Sequence, residues 1–204
     1  MSCVAIVDTG LCNLDSIARA IEDCGGKPLV TEDPADLERA ARIVLPGVGA
    51  FPEAMARLRR CGLDVALNEE VIGREIPFLG ICLGMQLIGT IGTEVSRTAG
   101  LGWIAGEVDR LMPEPGERIP HIGWNEVESK ADSPLFRGIA PGRDFYFVHS
   151  FALHPNHDED VAAVTPYAGG FVSAVHRGNV FGVQFHPEKS QKVGFAVLRN
   201  FLAF

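Results

Sequence analysis

Residues 77–86 constrain the fold more than any other part of this chain. They read Pro-Phe-Leu-Gly-Ile-Cys-Leu-Gly-Met-Gln, an apolar run that leads through Gly-x-Cys-x-Gly into a second apolar run. We interpret them as a short buried strand, a tight turn with Cys82 at its apex, and a helix that begins at about Leu83. Gly80 and Gly84 lack a Cβ atom, so the strand and the helix can approach closely around a strained residue.

The predicted position of Cys82 suits a nucleophile. The start of a helix offers free N–H groups and a partial positive charge, and both favour the thiolate form of a nearby cysteine. The structural alternative is a small buried cysteine between two packing glycines, because free cysteine is among the most buried residue types. This segment alone does not decide between the two.

The first half of the chain alternates between strand-like and helix-like segments. Short apolar runs predict strands at 3–7, 28–31, 42–45 and 76–81, and helical patterns lie between them. Asp33 and Pro34 are typical of a helix start, as cap and first residue. This βαβα alternation predicts a mainly parallel sheet with helices on both faces.

Short extended segments dominate after about residue 100. Gly, Pro and Asn turns separate them, with a hairpin turn expected at 177–179, and a helix is expected at 191–201. We therefore predict a three-layer α/β fold in which antiparallel strands extend the sheet in the C-terminal half. No linker or repeat interrupts the sequence, so we expect a single domain over residues 1–204.

Composition argues against several classes of function. The net charge is −8 and no Lys/Arg-rich run is present, which disfavours binding to nucleic acid or to anionic membranes. The odd number of cysteines and the lack of CxxC spacing favour neither a disulfide framework nor a zinc module. The N-terminus does not resemble a signal peptide, and no apolar run is long enough to span a bilayer. We expect a cytoplasmic protein with five free cysteines, which are Cys3, Cys12, Cys24, Cys61 and Cys82.

Polar residues follow a second predicted strand at His186-Pro187-Glu188. The carboxyl ends of strands are where α/β sheets build their sites. If the segment is extended, residues two apart point the same way, so Glu188 can fix the tautomer of His186 and leave its other nitrogen to take a proton from a thiol. A lone surface histidine beside an unrelated glutamate is the alternative, and the cysteine turn makes it the weaker one.

A glycine-rich loop follows a third predicted strand at residues 46–51, Pro-Gly-Val-Gly-Ala-Phe. Its backbone N–H groups could stabilise the oxyanion that forms when Cys82 attacks an amide, and the N–H of Leu83 would be the second donor. A simple turn before a helix is the alternative. The loop is not a phosphate loop, because the Gly-x-x-x-x-Gly-Lys pattern is missing.

Residues 80–86 together with 186–188 resemble the class I (triad) glutamine amidotransferases. Four further segments narrow the resemblance to the glutaminase subunits of imidazole glycerol phosphate synthases, and together they cover essentially the whole chain. These segments are residues 46–51, 120–125 (Pro-His-Ile-Gly-Trp-Asn), 146–150 (Tyr-Phe-Val-His-Ser) and 182–191.

The resemblance implies a mechanism and a partner. Cys82 would attack the side-chain amide of glutamine to form a thioester, while His186 transfers protons and Glu188 orients it. Ammonia would pass through a channel to a separate (βα)8-barrel cyclase subunit in a heterodimer. That subunit makes imidazole glycerol phosphate and a purine precursor, AICAR, in histidine biosynthesis. No metal or cofactor is implied.

The resemblance also assigns roles around the triad. Gln86 would hold glutamine, with the Gly49 region and the backbone of His149 and Ser150. Val48, Gly49 and Leu83 would form the oxyanion hole, and we expect Val48 to supply an N–H through a peptide flip. The segment near the partner contains Pro120, His121, Trp124 and Asn125. For Trp124, plain core packing is the alternative to an interface anchor.

The match has departures, and other functions stay open at this point. Thr9, Cys12 and Phe151 differ from what the family usually shows, which leaves detail of the pocket and interface open. For Cys12, Cys24 and Cys61 we expect structural packing. The alternatives are a glutaminase of a pyridoxal phosphate, anthranilate or formylglycinamidine synthase, a Cys-His-Glu hydrolase that acts on peptides or esters, and a non-catalytic regulatory module.

Overall fold

The strands of this chain lie in two sheets. The computed structural model describes residues 3–10, 14–130 and 132–204. Within these residues, nine strands form one sheet in the order β2-β1-β3-β4-β13-β12-β11-β8-β9, and four form a second in the order β10-β7-β5-β6. The strands are β1 (Cys3–Val7), β2 (Lys27–Thr31), β3 (Arg42–Gly47), β4 (Phe78–Cys82), β5 (Ile91–Gly92), β6 (Thr98–Ala99), β7 (Gly106–Arg110), β8 (His121–Ser129), β9 (Arg143–His149), β10 (Phe151–Pro155), β11 (Val161–Thr165), β12 (Phe171–Arg177) and β13 (Val180–Val183).

Helices connect the strands of the large sheet. The α-helices are α1 (Leu14–Asp23), α2 (Pro34–Leu37), α3 (Phe51–Arg60), α4 (Leu63–Leu67), α5 (Leu83–Leu87) and α6 (Gln191–Ala203). A π-helical segment (Asn68–Gly73) continues α4, and 3-10 turns occur at Pro134–Phe136, Asp158–Asp160 and Pro187–Lys189. The predicted start of α2 is confirmed: the side chain of Asp33 accepts the N–H of Ala35 at 2.9 Å, and Pro34 is the first helical residue.

The large sheet is parallel in one half and antiparallel in the other. β2, β1, β3, β4 and β13 pair in parallel, and β12, β11, β8 and β9 continue the sheet with antiparallel pairs. This confirms the predicted α/β fold with antiparallel additions. The hairpin predicted at 177–179 is also confirmed, because Arg177 pairs with Val180.

The second sheet is a correction to the predicted fold. β5 and β6 have two residues each, too few to produce a hydrophobic pattern. β10 begins two residues after β9 ends, without Gly, Pro or Asn between them. Strand β8 begins at His121, whose partner in β9 is His149.

Two apolar cores cover the two faces of the large sheet. Alternate residues of β1 show the division: Val4 and Ile6 pack with α1 and α6, whereas Ala5 and Val7 pack with α3, α4 and α5. Each side chain of these residues is fully buried. The alternation places helices on both faces, as the sequence predicts.

The register of three neighbouring strands brings their carboxyl ends together. Gly47 of β3 pairs with Cys82 of β4, and Val183 of β13 pairs with Ile81 of β4. Because the strands are parallel, the loop after β3, the turn after β4 and the segment after β13 emerge at the same edge of the sheet. This edge contains the three segments that the sequence singles out.

The glycines around Cys82 permit a close approach of α5 to the sheet. A Cβ atom on Gly84 would lie 1.7 Å from the carbonyl oxygen of Leu45, and one on Gly80 would lie 2.6 Å from the Gly84 backbone. Heavy atoms cannot approach so closely. The predicted role of both glycines is therefore confirmed.

Candidate active site

Cys82 occupies a strained turn between β4 and α5. Its backbone has φ 54° and ψ −109°, a conformation that residues with a side chain rarely adopt. A residue held in such a region costs on the order of 1–3 kcal/mol, and strain of this kind concentrates at functional sites. The side chain is almost buried, with 5% of its surface exposed, and its sulfur lies at the wall of a cavity.

His186 and Glu188 form the predicted contact, but not for the predicted reason. The Nδ1–H of His186 donates to Oε1 of Glu188 at 2.8 Å, and both side chains are about 5% exposed. The segment Pro187–Lys189 is a 3-10 turn rather than an extended strand. The turn, and not a two-residue alternation, brings the carboxylate under the imidazole.

Neighbouring residues fix the backbone of His186. Its N–H donates to the carbonyl of Tyr146 at 2.9 Å, and its carbonyl accepts the hydroxyl of Ser190 at 2.6 Å. The same hydroxyl accepts the N–H of Tyr146 at 3.0 Å. Ser190 is fully buried and ties β9 to the segment after β13. The sequence offers no local signal for this contact, because β9 and Ser190 are about 44 residues apart.

The imidazole of His186 is in an unusual electrostatic environment. Burial lowers its pKa, but the adjacent Cys82 sulfur and the Glu188 carboxylate outweigh burial and raise the pKa of His186 to about 9. Its Nε2 atom is buried and makes no hydrogen bond within the described residues. Because Nδ1 is committed to Glu188, Nε2 is the nitrogen left to exchange a proton with the sulfur.

One cavity collects the predicted oxyanion and substrate residues. It has a volume of about 280 Å³ and brings Val48, Gly49, Leu83, Gln86, His149 and Ser150 together with Cys82. Its other lining residues are Glu94, Pro120, Val148 and Phe151. We call it the Cys82 cavity. The sequence thus named seven of its eleven lining residues as site residues around the triad, and Pro120 as a partner contact.

Glu94 is a cavity residue that the sequence did not reveal. It is the only Asp, Glu, Lys or Arg among the lining residues described. Its Oε2 atom accepts the N–H of Phe51, the first residue of α3, at 2.8 Å. No motif surrounds Glu94, so only the fold brings it to the cavity.

Gln184 is a second residue that the sequence did not single out for a role. It is fully buried and follows β13, one position after the residue that pairs with Ile81. Its Nε2–H lies 3.6 Å from Sγ of Cys82, and its Oε1 accepts Nε2–H of Gln86 at 3.0 Å. Gln86 also donates to the carbonyl of Phe151 at 2.9 Å. The sequence signal that could have indicated Gln184 is a glutamine at the end of an otherwise apolar strand.

His121 and His149 form a buried pair beside the cavity. The Nδ1–H of His149 donates to the carbonyl of Phe151 at 2.9 Å, so its Nε2 must accept, and it accepts Nδ1–H of His121 at 3.0 Å. The Nε2 of His121 faces the amide of Asn125 at 3.3 Å. Burial lowers the pKa of His149 to about 3 and that of His121 to about 4. Both rings are therefore neutral near pH 7.

The four residues expected near the partner do not share one environment. Trp124 is 47% exposed and Pro120 is exposed, whereas Asn125 is half-buried. Plain core packing is therefore wrong for Trp124, whose ring contacts Tyr146 edge-on at 6.0 Å. His121 is a correction: only 3% of its surface is exposed, and its ring packs against Tyr167. Alternation along β8 turns His121 inward and Trp124 outward.

The other cysteines among the described residues, Cys3, Cys24 and Cys61, do not line the Cys82 cavity. Cys24 and Cys61 are half-buried at the two apolar cores, and Cys24 donates its S–H to the carbonyl of Phe195 at 3.5 Å. Cys3 is also a free thiol.

Three residues depart from what the family usually shows. Thr9 is buried, and the carbonyl of Phe151 accepts a hydrogen bond from the amide of Gln86, while Cys12 lies outside the described residues.

Residues 3–10, 14–130 and 132–204 contain neither a helix suited to crossing a membrane nor a side-chain cluster suited to holding a metal ion. No helix there combines the length and apolar character that crossing a bilayer requires. No group of three or more His, Cys, Asp or Glu side chains is arranged to hold a metal ion there.

These environments predict different protonation states for three of the six histidines. At pH 7.5, nitrogen NMR spectra should show His186 protonated on both nitrogens, because its pKa of about 9 lies above that pH. His121 and His149 should be protonated on Nδ1 only, because burial holds their pKa values near 4 and 3. In Cys82→Ala, the pKa of His186 should fall. A neutral His186 in the wild-type spectrum would contradict this assignment.

Comparison with known proteins agrees with the geometry. The profile of the family described as glutamine amidotransferase class-I matches residues 5–203. The imidazole glycerol phosphate synthase subunit HisH of Moorella thermoacetica is 47% identical, over 97% of this chain and 93% of that protein. The subunit HisH of Caulobacter vibrioides is 46% identical, over 99% of this chain and 98% of that protein.

A solved structure supports the same assignment at the level of the fold. The structure of PurLQS from Thermotoga maritima matches with a TM-score of 0.73 at 20% identity, over 100% of this chain and 99% of the matched chain. The profile match and the HisH identities extend over nearly the whole sequence. This chain therefore belongs to the class-I glutamine amidotransferases and, within them, to the HisH subunits of imidazole glycerol phosphate synthase.

Proposed function

We propose that this chain hydrolyses glutamine for an imidazole glycerol phosphate synthase, with Cys82, His186 and Glu188 as its catalytic triad. The observation that carries the proposal is the buried contact of 2.8 Å between His186 and Glu188, next to a cysteine held in a strained turn. The identity of about 46% to HisH subunits favours this synthase over the pyridoxal phosphate, anthranilate and formylglycinamidine alternatives.

The reaction begins with attack of the Cys82 thiolate on the carboxamide carbon of glutamine. His186, protonated at rest, then donates its Nε2 proton to the leaving nitrogen, and ammonia departs as a thioester forms. Water attacks the thioester carbon while the now neutral His186 takes up the proton of the water, the C–S bond breaks, and glutamate leaves with the Cys82 thiolate restored. Glu188 holds the imidazole in one tautomer and stabilises its charge in each step.

The oxyanion of each tetrahedral intermediate needs two N–H donors beside Cys82. The N–H of Leu83, the next residue along, is one candidate. The loop after β3 supplies the other: Val48 and Gly49 are exposed and line the same cavity, and Gly49 has φ 99°. We propose that a peptide flip in this loop turns the N–H of Val48 toward the oxyanion. Glycines on both sides lower the cost of such a flip.

The Cys82 cavity suits an amino acid with a neutral side chain. Its volume of about 280 Å³ accommodates one small molecule, and the Glu94 carboxylate can pair with an α-ammonium group. Gln86, His149 and Ser150 line the same space and are the further groups that we propose to contact glutamine. A neutral His149 adds no charge that would repel the ammonium group.

We further propose that a (βα)8-barrel cyclase subunit docks over the exposed face of β8. Ile122 is 61% exposed and Trp124 is 47% exposed, so two large apolar side chains face outward from one strand. Exposed tryptophan is enriched among residues that dominate the energy of interfaces. Pro120 belongs both to this segment and to the Cys82 cavity, which supports a position of the proposed interface beside the cavity.

Glutamate release from glutamine tests the proposed reaction. The wild-type chain should release glutamate when mixed with the cognate cyclase and its nucleotide ligand, and Cys82→Ala should reduce this by at least about 1,000-fold. Cys61→Ala, which removes a cysteine remote from the cavity, is the matched control and should retain activity. Absence of glutamate with the cognate partner, or hydrolysis of a casein-type substrate instead, would refute the proposal.

Replacement of Val48 tests the oxyanion loop. Val48→Pro removes the N–H and should abolish glutaminase activity that the partner stimulates, whereas Val48→Ala keeps the N–H and should retain it. Binding of the cyclase should be measured alongside by calorimetry, so that a lost interface is distinguished from a lost donor. Full activity in a folded Val48→Pro variant would contradict the role of this N–H.

Replacement of Glu94 tests how the substrate is held. Glu94→Gln keeps an oxygen that can accept the N–H of Phe51 but removes the negative charge. The KM for glutamine should rise by about ten-fold or more while kcat changes little, because the ammonium contact is present in both the ground and the transition state. An unchanged KM would show that Glu94 does not bind the ammonium group.

A further inference from the structure

Among the described residues, the carbonyl of Val148 and the side chain of Gln184 are polar neighbours of the Cys82 sulfur, and they favour opposite protonation states. The carbonyl oxygen of Val148 lies 3.8 Å from Sγ and can accept only an S–H. The Nε2–H of Gln184 lies 3.6 Å from Sγ and can only donate to it. The thiol therefore has a partner in Val148, and the thiolate has one in Gln184.

The orientation of the Gln184 amide is fixed by its neighbours. Its Oε1 atom accepts Nε2–H of Gln86 at 3.0 Å, and that same Nε2 donates to the carbonyl of Phe151 at 2.9 Å. Turning the Gln86 amide would oppose its oxygen to a carbonyl oxygen, and turning the Gln184 amide would oppose two N–H groups. One arrangement satisfies all of these contacts, and it directs an N–H of Gln184 at the sulfur.

Burial makes this contact significant. No part of the Gln184 side chain is exposed to solvent, and burying an amide in an apolar strand end is costly unless it is hydrogen-bonded. A hydrogen bond to a charged atom in such surroundings is stronger than one between neutral groups. The register of β13 against β4 also places Gln184 beside Cys82, because Val183 pairs with Ile81.

We propose that Gln184 is a positioning residue that stabilises the thiolate form of Cys82 and, through Gln86, fixes the amide of the substrate cavity. The proposal deepens the function proposed above and rests on Cys82 being its nucleophile. It joins the nucleophile to a substrate-binding residue by a continuous path: Cys82 Sγ, Gln184, Gln86 and the carbonyl of Phe151.

The test is the pH dependence of alkylation of Cys82 by iodoacetamide in the intact chain, with each cysteine followed by peptide mass mapping. Gln184→Met has a similar length but no donor. Its alkylation midpoint should move to higher pH, and its rate at pH 7 should fall by about ten-fold, the effect expected for one hydrogen bond to a charged group. Ser173→Ala is the control, because Ser173 is equally buried on the neighbouring strand and should leave the midpoint unchanged.

Each outcome decides the proposal. A midpoint that moves only in Gln184→Met supports it, while an unchanged midpoint overturns it, even if the rate falls at every pH. If Gln184→Met does not fold, NMR spectroscopy of the wild-type chain provides a second test. The side-chain NH₂ resonances of Gln184 should titrate together with Cys82 in the wild-type chain, and no such titration should occur in Cys82→Ala. If the chemical shifts of the Gln184 side chain do not change when Cys82 ionises, the proposal is overturned.

The same measurement separates this inference from the proposed function. Alkylation needs neither glutamine nor a partner subunit. If the midpoint moves but no glutamate is ever released, Gln184 acts on the sulfur while the glutaminase assignment fails. If glutamate is released and the midpoint does not move, the assignment stands and the role of Gln184 fails.

Discussion

The pairing of β3, β4 and β13 is the constraint on which the rest of the site depends. Each strand ends at the same edge of the sheet, so three segments far apart in sequence meet within one cavity. The central strand ends at Cys82, the proposed nucleophile. One neighbour leads into the proposed oxyanion loop, and the other leads into His186 and Glu188. A shift of one residue in either pairing would turn these side chains to the opposite face of the sheet.

Two buried histidines, His186 and His149, have different protonation states because their buried surroundings differ. His186 is buried beside a sulfur and a carboxylate, which together raise its pKa to about 9. His149 is buried beside a neutral imidazole and a carbonyl, and its pKa falls to about 3. In the proposed mechanism the ring of His186 donates a proton, while the ring of His149 is a neutral part of the cavity wall. The difference follows from whether the compensating neighbours carry charge.

The parts of the site that could be predicted are those encoded locally. The turn at Cys82 requires a glycine on each side, and the contact of His186 with Glu188 needs only a short turn after a strand, so both leave a motif in the sequence. Even there the geometry was wrong in detail, because a 3-10 turn replaces the expected extended segment.

The missed parts depend on contacts between distant residues. Glu94 reaches the cavity only through the fold, and Gln184 gains its significance from the register of β13 against β4. His121 was expected near the partner, but alternation along β8 turns it into the core. The strands of the second sheet are too short, or too close to their neighbours, to leave a pattern. Neither propensity nor local spacing contains this information.

The proposed mechanism requires that Cys82 forms a covalent bond to the substrate. The most direct measurement is rapid acid quenching of the complex with its cyclase and isotopically labelled glutamine, followed by peptide mass analysis. We expect a glutamyl thioester on the peptide that contains Cys82, and no label on the peptides that contain Cys3, Cys24 or Cys61. A label on another cysteine, or turnover of glutamine without any labelled peptide, would contradict the proposed mechanism.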